Sequence, residues 1–155
     1  MRLYLVQHGA AVSKETDPDR PLSPEGAHDT AEMAVFIARR NLRLDEIWHS
    51  GKTRARQTAI SLAGAIRGAT VRERDGLAPK DDVTPLVEIL CRRETDLMIV
   101  GHLPFLSRLA SVLLGLDPDR EVIAFRNAGV VCLERDAEGD WRLLWALPPD
   151  LPASE

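Results

Sequence analysis

The stretch Leu3-Tyr4-Leu5-Val6-Gln7-His8-Gly9 decides the reading of this chain. Four apolar residues in succession, among them the strand formers Tyr4 and Val6, predict a short strand buried on both faces, and Gly9 stops it. A strand of that kind belongs inside a parallel sheet covered by helices. His8 then stands at the strand's carboxyl end, the edge at which open α/β sheets bind ligands. Gly9 beside it lets another group approach closely.

Working outward, Pro18, Pro21 and Pro24 keep the segment after His8 out of a helix until Ser23, which caps one running from Pro24 to about Arg40. Ala27, Ala31, Ala34 and Ala38 line one face of that helix, with Met33 and Ile37 beside them. Asp45 to Ser50 reads as a second strand, and Thr53 to Ile66 as a helix ended by Gly68. A weak strand at Thr70 to Arg72 precedes a helix marked by Val83, Leu86, Val87 and Leu90. Leu97-Met98-Ile99-Val100 repeats the first pattern and runs into Gly101-His102, after which Pro104 opens a helix closed by Gly115. Val122–Phe125, Val130–Glu134 and Trp141–Trp145 read as strands, the last two forming a hairpin around Asp136 to Asp140. The fold predicted is α/β: a single-domain, three-layer α/β/α sandwich over residues 1–147, mainly parallel with an antiparallel edge. A loose proline-rich tail is expected over residues 148–155.

Composition narrows the function classes. A length of 155 residues suits one domain with a proper core, and 45% apolar with 28% charged residues is ordinary for a globular chain. A net charge of −4 gives no support for nucleic-acid binding or for adhesion to an anionic membrane. Cys91 and Cys132 sit in apolar surroundings and read as small core residues of a reducing compartment. With no signal-peptide layout and no membrane-spanning run, a cytoplasmic location is expected. No exposed apolar stripe stands out, which favours a monomer.

Three strands end in Gln7-His8-Gly9, His49-Ser50-Gly51 and Gly101-His102. Parallel strands deliver these ends to one edge, so His8, Ser50, Arg54 and His102 are the residues expected to meet. Two imidazoles and a guanidinium in one crevice suit a phosphoryl group. Arg54 can grip its oxygens bidentately, neutral histidines can donate to them, and a helix's first turn adds N–H groups. Gly51-Lys52-Thr53 mimics the end of a nucleotide-binding loop, but that motif needs a glycine where Glu46 stands. The four histidines show no metal-ligand spacing, and neither metal nor cofactor is expected.

His8-Gly9 at a strand end, the run Arg20-Pro21-Leu22-Ser23-Pro24-Glu25-Gly26, the motif Ser50-x-x-x-Arg54-x-x-Gln57-Thr58-Ala59, and Gly101-His102-x-Pro104 follow one another in order. Together they resemble the histidine phosphatase superfamily, in particular its short SixA-type phosphohistidine phosphatases. The resemblance spans essentially the whole chain and implies a phosphoglycerate mutase-like fold without long lid insertions. It implies His8 as the nucleophile, with Arg54 and His102 holding the phosphoryl oxygens and Gln7, Gly9 and Ser50 lining the same site. The partner implied is a phosphohistidine-bearing protein or a small phosphate ester.

The chain departs from this pattern where the superfamily's strand ends Arg-His-Gly, because Gln7 stands in the arginine's place. Gln keeps a donor but loses a full charge. That is worth roughly 1–2 kcal/mol in one hydrogen bond and about 3–4 kcal/mol of transition-state stabilisation in a dry pocket. Arg20 is the candidate to restore the charge; the alternative is a solvated loop arginine. Asp81 and Asp82 lie about where the superfamily places its general acid, against the alternative of solvated loop acids with Asp82 near a helix N-cap. His28 and His49 read as structural. Three functions follow: a phosphohistidine phosphatase, a phospho-ligand binding module with little turnover because of Gln7, and a small-molecule phosphomonoesterase dependent on Asp81 or Asp82.

Overall fold

The computed structural model describes residues 1–150, so the expected tail lies, from residue 151 onward, outside the described residues. The strands are β1 (Arg2–Gln7), β2 (Glu46–His49), β3 (Thr70–Glu73), β4 (Leu97–Gly101), β5 (Val130–Arg135) and β6 (Trp141–Leu147). The helices are α1 (Pro24–Arg39), α2 (Thr53–Ala63), α3 (Thr84–Arg92) and α4 (Phe105–Leu113). They build one sheet in the order β3-β2-β4-β1-β5-β6. β1, β2, β3 and β4 are parallel, while β5 and β6 run antiparallel to their neighbours.

The pleat explains the continuous apolar runs. Leu3 and Leu5 of β1 and Leu97 and Ile99 of β4 enter one core with Leu86 and Leu90 of α3 and Phe105, Leu106 and Leu109 of α4. Tyr4, Val6, Met98 and Val100, alternating with them, enter the other with Met33 and Ile37 of α1 and Ala55, Ala59 and Leu62 of α2. Two cores on opposite faces of one sheet make the three-layer sandwich. Each fully buried Leu or Phe contributes about 1.5–3 kcal/mol relative to exposure.

Several details differ from the sequence reading. The buried face of α1 is Gly26, Thr30, Met33 and Ile37, while Ala27, Ala31 and Ala38 are exposed. Bulkier side chains have more surface to remove from water, so they and the glycine of closest approach turn inward. Helix α2 stops at Ala63 with Gly64 as its C-cap, and Ile66 is buried by the turn that follows. Residues Val122–Phe125 are not a strand, because both edges of β5 are taken by β1 and β6. There the chain turns tightly, with Phe125 N donating to Ile123 O at 3.1 Å, and Phe125 plugs the core over α3 and α4. Cys132 is buried as expected, whereas Cys91 is exposed.

The edge strand β6 removes the ground for expecting a monomer. Leu143, Leu144 and Trp145 on it are 45%, 40% and 39% exposed, a run of apolar side chains at the sheet's edge. No helix among the described residues is long and apolar enough to cross a membrane.

Candidate functional site

The carboxyl ends of β1, β2 and β4 carry the site. His8 extends the β1–β4 ladder by one bond, its N donating to Gly101 O at 3.1 Å. That register sets the rings of His8 and His102 side by side, with centroids 5.0 Å apart and planes at 52°. Ser50, one residue past β2, has its Oγ 2.5 Å from His102 Nε2. Arg54, in the first turn of α2, donates from Nε to His8 Nε2 at 3.2 Å. The sequence-predicted quartet of His8, Ser50, Arg54 and His102 therefore meets.

Two contacts fix the tautomer of His8. Its Nδ1 lies 2.7 Å from Gly9 O, an acceptor, so Nδ1 carries the proton. The Arg54 donor on Nε2 requires a lone pair there, which gives the same assignment. Burial holds the His8 pKa below the ordinary histidine value, opposed by the bond to Gly9 and assisted by the charges of Arg54 and Arg20. His102 is only 2% exposed, and burial, with His8, Arg54, Lys52 and Arg20 around it, lowers its pKa to about 3. Both imidazoles are neutral at pH 7, and the positive charge around them is that of Arg54, Arg20 and Lys52.

Arg20 belongs to this electrostatic unit. Its charge lowers the pKa of His8, Arg54 and His102 alike. Its backbone adopts a left-handed conformation, φ +47°, and its Nε donates to Val12 O at 3.2 Å, bracing the side chain against its own loop. Gln7 keeps its place at the end of β1, but its Oε1 is buried without a hydrogen-bond partner among the described residues; so is His102 Nδ1. Asp81 and Asp82 are engaged elsewhere. Asp81 Oδ2 accepts from Ala78 N at 2.8 Å, and Asp82 Oδ1 accepts from Thr84 N and Oγ1 at 3.0 and 2.9 Å. The bonds from Thr84 also lower the pKa of the Asp82 carboxyl. No hydrogen bond or ion pair among the described residues joins either carboxylate to the cluster.

Glycine is required at two points here. A Cβ on Gly9 would stand 2.6 Å from Thr30 Oγ1 and 2.8 Å from Gly26 O. One on Gly26 would stand 1.9 Å from Ala10 O. Helix α1 thus packs backbone-to-backbone on the chain leaving His8, and its N-cap Ser23 ties in the same way, N to Ala10 O at 2.9 Å.

Sequence reasoning missed the residues that brace the site. Thr58, read as inner face of α2, accepts from Gly9 N at 3.0 Å and donates to Arg54 O at 2.8 Å. Gln57 Oε1 accepts from Leu22 N at 2.7 Å, fastening the loop that carries Arg20. Asn127 Nδ2 donates to His8 O at 2.8 Å. A hydroxyl on an apolar helix face was a readable signal for Thr58. Asn127, in the turn Arg126-Asn127-Ala128-Gly129, carried only turn chemistry. Lys52, quoted in the sequence only for the discarded nucleotide motif, adds a charge that His102 feels. His49 is buried and accepts from Gly51 N at Nδ1, 3.0 Å, holding the turn beside Ser50. Among the described residues no group of three or more His, Cys, Asp and Glu is placed to hold a metal ion.

Known proteins share this architecture and sequence. Residues 3–79 match the family model of the histidine phosphatase superfamily (branch 1). An uncharacterized protein of Picosynechococcus sp. is 31% identical over 144 residues, covering 88% of this chain and 87% of that protein. The phosphohistidine phosphatase SixA of Escherichia coli is 23% identical over 156 residues, covering 96% and 94%. The solved structure of the protein histidine phosphatase SixA complexed with tungstate superposes with a TM-score of 0.83 at 21% identity, covering 96% of this chain and 97% of that one. A phosphoglycerate mutase-like α/β sheet with His8 and His102 at the carboxyl edge, the ordered motifs and these matches lead to one conclusion: the chain belongs to the histidine phosphatase superfamily and is SixA-like.

Proposed function

We propose that residues 1–147 form a phosphatase domain that hydrolyses phosphohistidine on proteins through a covalent phosphohistidine at His8. The observation that carries this reading is the state of His8: neutral, with the proton on Nδ1 bonded to Gly9 O and the lone pair on Nε2. An imidazole attacks phosphorus only through such a lone pair. In the free site that lone pair accepts from Arg54. The phosphoryl oxygens, as stronger acceptors, draw the Arg54 donors to themselves and release Nε2. The bond from Nε2 to phosphorus forms as the bond to the substrate's imidazole nitrogen breaks, and the departing imidazole takes up a proton from solvent water. Water then attacks phosphorus, the bond to His8 breaks, and phosphate leaves. Arg54, with Arg20, His102 and Ser50 beside it, would then offer charge and donors to the oxygens through both steps.

The substrate class is argued from the acid. Imidazole is a better leaving group than an alkoxide and needs less protonation, and neither Asp81 nor Asp82 has a carboxyl free beside the cluster. That favours phosphohistidine over a small alkyl phosphate. Gln7 supports a second reading, a pocket that binds phosphorylated ligands with little turnover. Phosphate release from a phosphohistidine-bearing protein and from an aryl phosphate by wild type, His8→Ala and Gln7→Arg separates them. Hydrolysis of phosphohistidine that disappears in His8→Ala supports the phosphatase. An inert wild type with an active Gln7→Arg identifies the binding module.

A further inference from the structure

We infer that Asn127 is a positioning residue for His8, acting through the main chain; the catalytic consequence rests on the phosphatase reading above. Once phosphoryl oxygens have drawn Arg54 from Nε2, the tautomer of His8 depends on one acceptor, Gly9 O, 2.7 Å from Nδ1. Gly9 O lies in the Gly9–Ala10 peptide unit, and because glycine restrains its own dihedrals weakly its direction follows from how the preceding His8–Gly9 unit is held. The His8–Gly9 peptide unit is held at both ends. Its nitrogen donates to Thr58 Oγ1 at 3.0 Å, and its oxygen accepts from Asn127 Nδ2 at 2.8 Å. The neighbouring Ala128 N donates to Gln7 O at 2.9 Å and reaches His8 O at 3.4 Å. Ala128 does so from a left-handed backbone, φ +60°, that presents Asn127 and the Ala128 N–H to the same strand end.

The two braces come from opposite flanks of β1. Thr58 is anchored on Arg54 O and so belongs to the phosphate-gripping helix. Asn127 precedes β5 and contacts none of Arg54, Ser50 or His102 by hydrogen bond. Loss of the Asn127 amide leaves His8 O with only the longer bond from Ala128 N; the His8–Gly9 unit then turns, the adjoining Gly9–Ala10 unit moves with it, Gly9 O swings off Nδ1, and the Nε2 lone pair is no longer aimed in line. Arg54, Arg20 and His102 are untouched, so phosphate still binds. A positioning role therefore separates attack from binding, which a loss of general packing does not.

The test compares wild type, Asn127→Ala and Asn127→Leu; leucine keeps the size of the side chain but cannot donate. Three quantities are read: the rate of phosphoenzyme formation from a ³²P-labelled phosphohistidine protein, the Kd for inorganic phosphate, and the ¹⁵N shifts of His8 at saturating phosphate, where Arg54 has left Nε2, which report its tautomer. The expectation is a fall in phosphoenzyme formation of about 10–100-fold in both variants, with phosphate affinity within about threefold and His8 passing from the Nδ1–H tautomer to a mixture. Unchanged rates, or an unchanged His8 tautomer in folded variants, overturn the inference. A wild type that forms no phosphoenzyme overturns the phosphatase reading instead, and the tautomer comparison alone then decides the role of Asn127.

Discussion

Arg20 stores backbone strain beside the reactive cluster. A left-handed arginine costs on the order of 1–3 kcal/mol against an unstrained one, and here the conformation accompanies a guanidinium whose charge reaches His8, Arg54 and His102. The strain is consistent with a role in replacing the charge lost at Gln7. Two variants separate function from strain. Arg20→Ala should weaken phosphate binding about tenfold, the low end for a charge-assisted contact because the side chain is partly exposed to solvent. Arg20→Gly should lose the same affinity with a Tm no lower than wild type, since glycine occupies the left-handed region freely. Calorimetric phosphate titration beside thermal melts reads both. Phosphate affinity unchanged in both variants would return Arg20 to an ordinary loop residue.

At the level of elements, the first turn of α1 organises the site as much as β1 does. Gly26 and Gly9 let the helix rest on the backbone after His8, while Ser23 Oγ caps the helix by accepting from Gly26 N at 3.0 Å. Gly26→Ala puts a methyl group inside Ala10 O, and the expected loss is at or above the 1–3 kcal/mol typical of overpacking. Ser23→Ala should cost about 1 kcal/mol through the lost cap. Urea unfolding gives both values, with the larger loss at Gly26. A Gly26→Ala midpoint equal to wild type would mean that α1 can shift on the sheet. The helix start at Ser23-Pro24 was legible because capping is local chemistry. The glycine contacts were not, because they depend on which loop the helix meets.

For the whole molecule, the acid side of the stability profile is set by histidines kept neutral. Burial lowers the pKa of His8 and His49, and of His102 to about 3, whereas an unfolded chain protonates histidine from about pH 6.5 downward. Below that pH the unfolded state binds more protons than the native one, so the stability these groups contribute is present above about pH 6.5 and declines as pH falls, for His102 down to about 3. Urea midpoints measured from pH 8 to pH 4.5 should hold level in the upper part of the range and fall from about pH 6.5. A midpoint that stays flat to pH 5 would contradict neutral burial of these rings.

The sequence by itself determined most elements of the sandwich and the sheet edge at which His8, Ser50, Arg54 and His102 meet. The short apolar runs of β1 and β4, rich in strand formers and stopped by glycine, favour strands buried on both faces, and β1, β2 and β4 each lead into a histidine or a serine that strand polarity sends to the same side. His8, Ser50, Arg54 and His102 were legible for that reason. Tertiary structure alone decided what braces them, because Thr58 and Asn127 meet the His8–Gly9 peptide from segments 49 and 119 residues away in sequence. It also decided that Asp81 and Asp82 bond within their own loop, that Val122–Phe125 turns into the core while β1 and β6 occupy both sides of β5, and that β6 is an edge with Leu143 and Leu144 exposed. Period and composition state which side chains seek burial. Which of them obtain it, and which backbone groups a lone amide will hold, depends on neighbours that only the folded chain supplies.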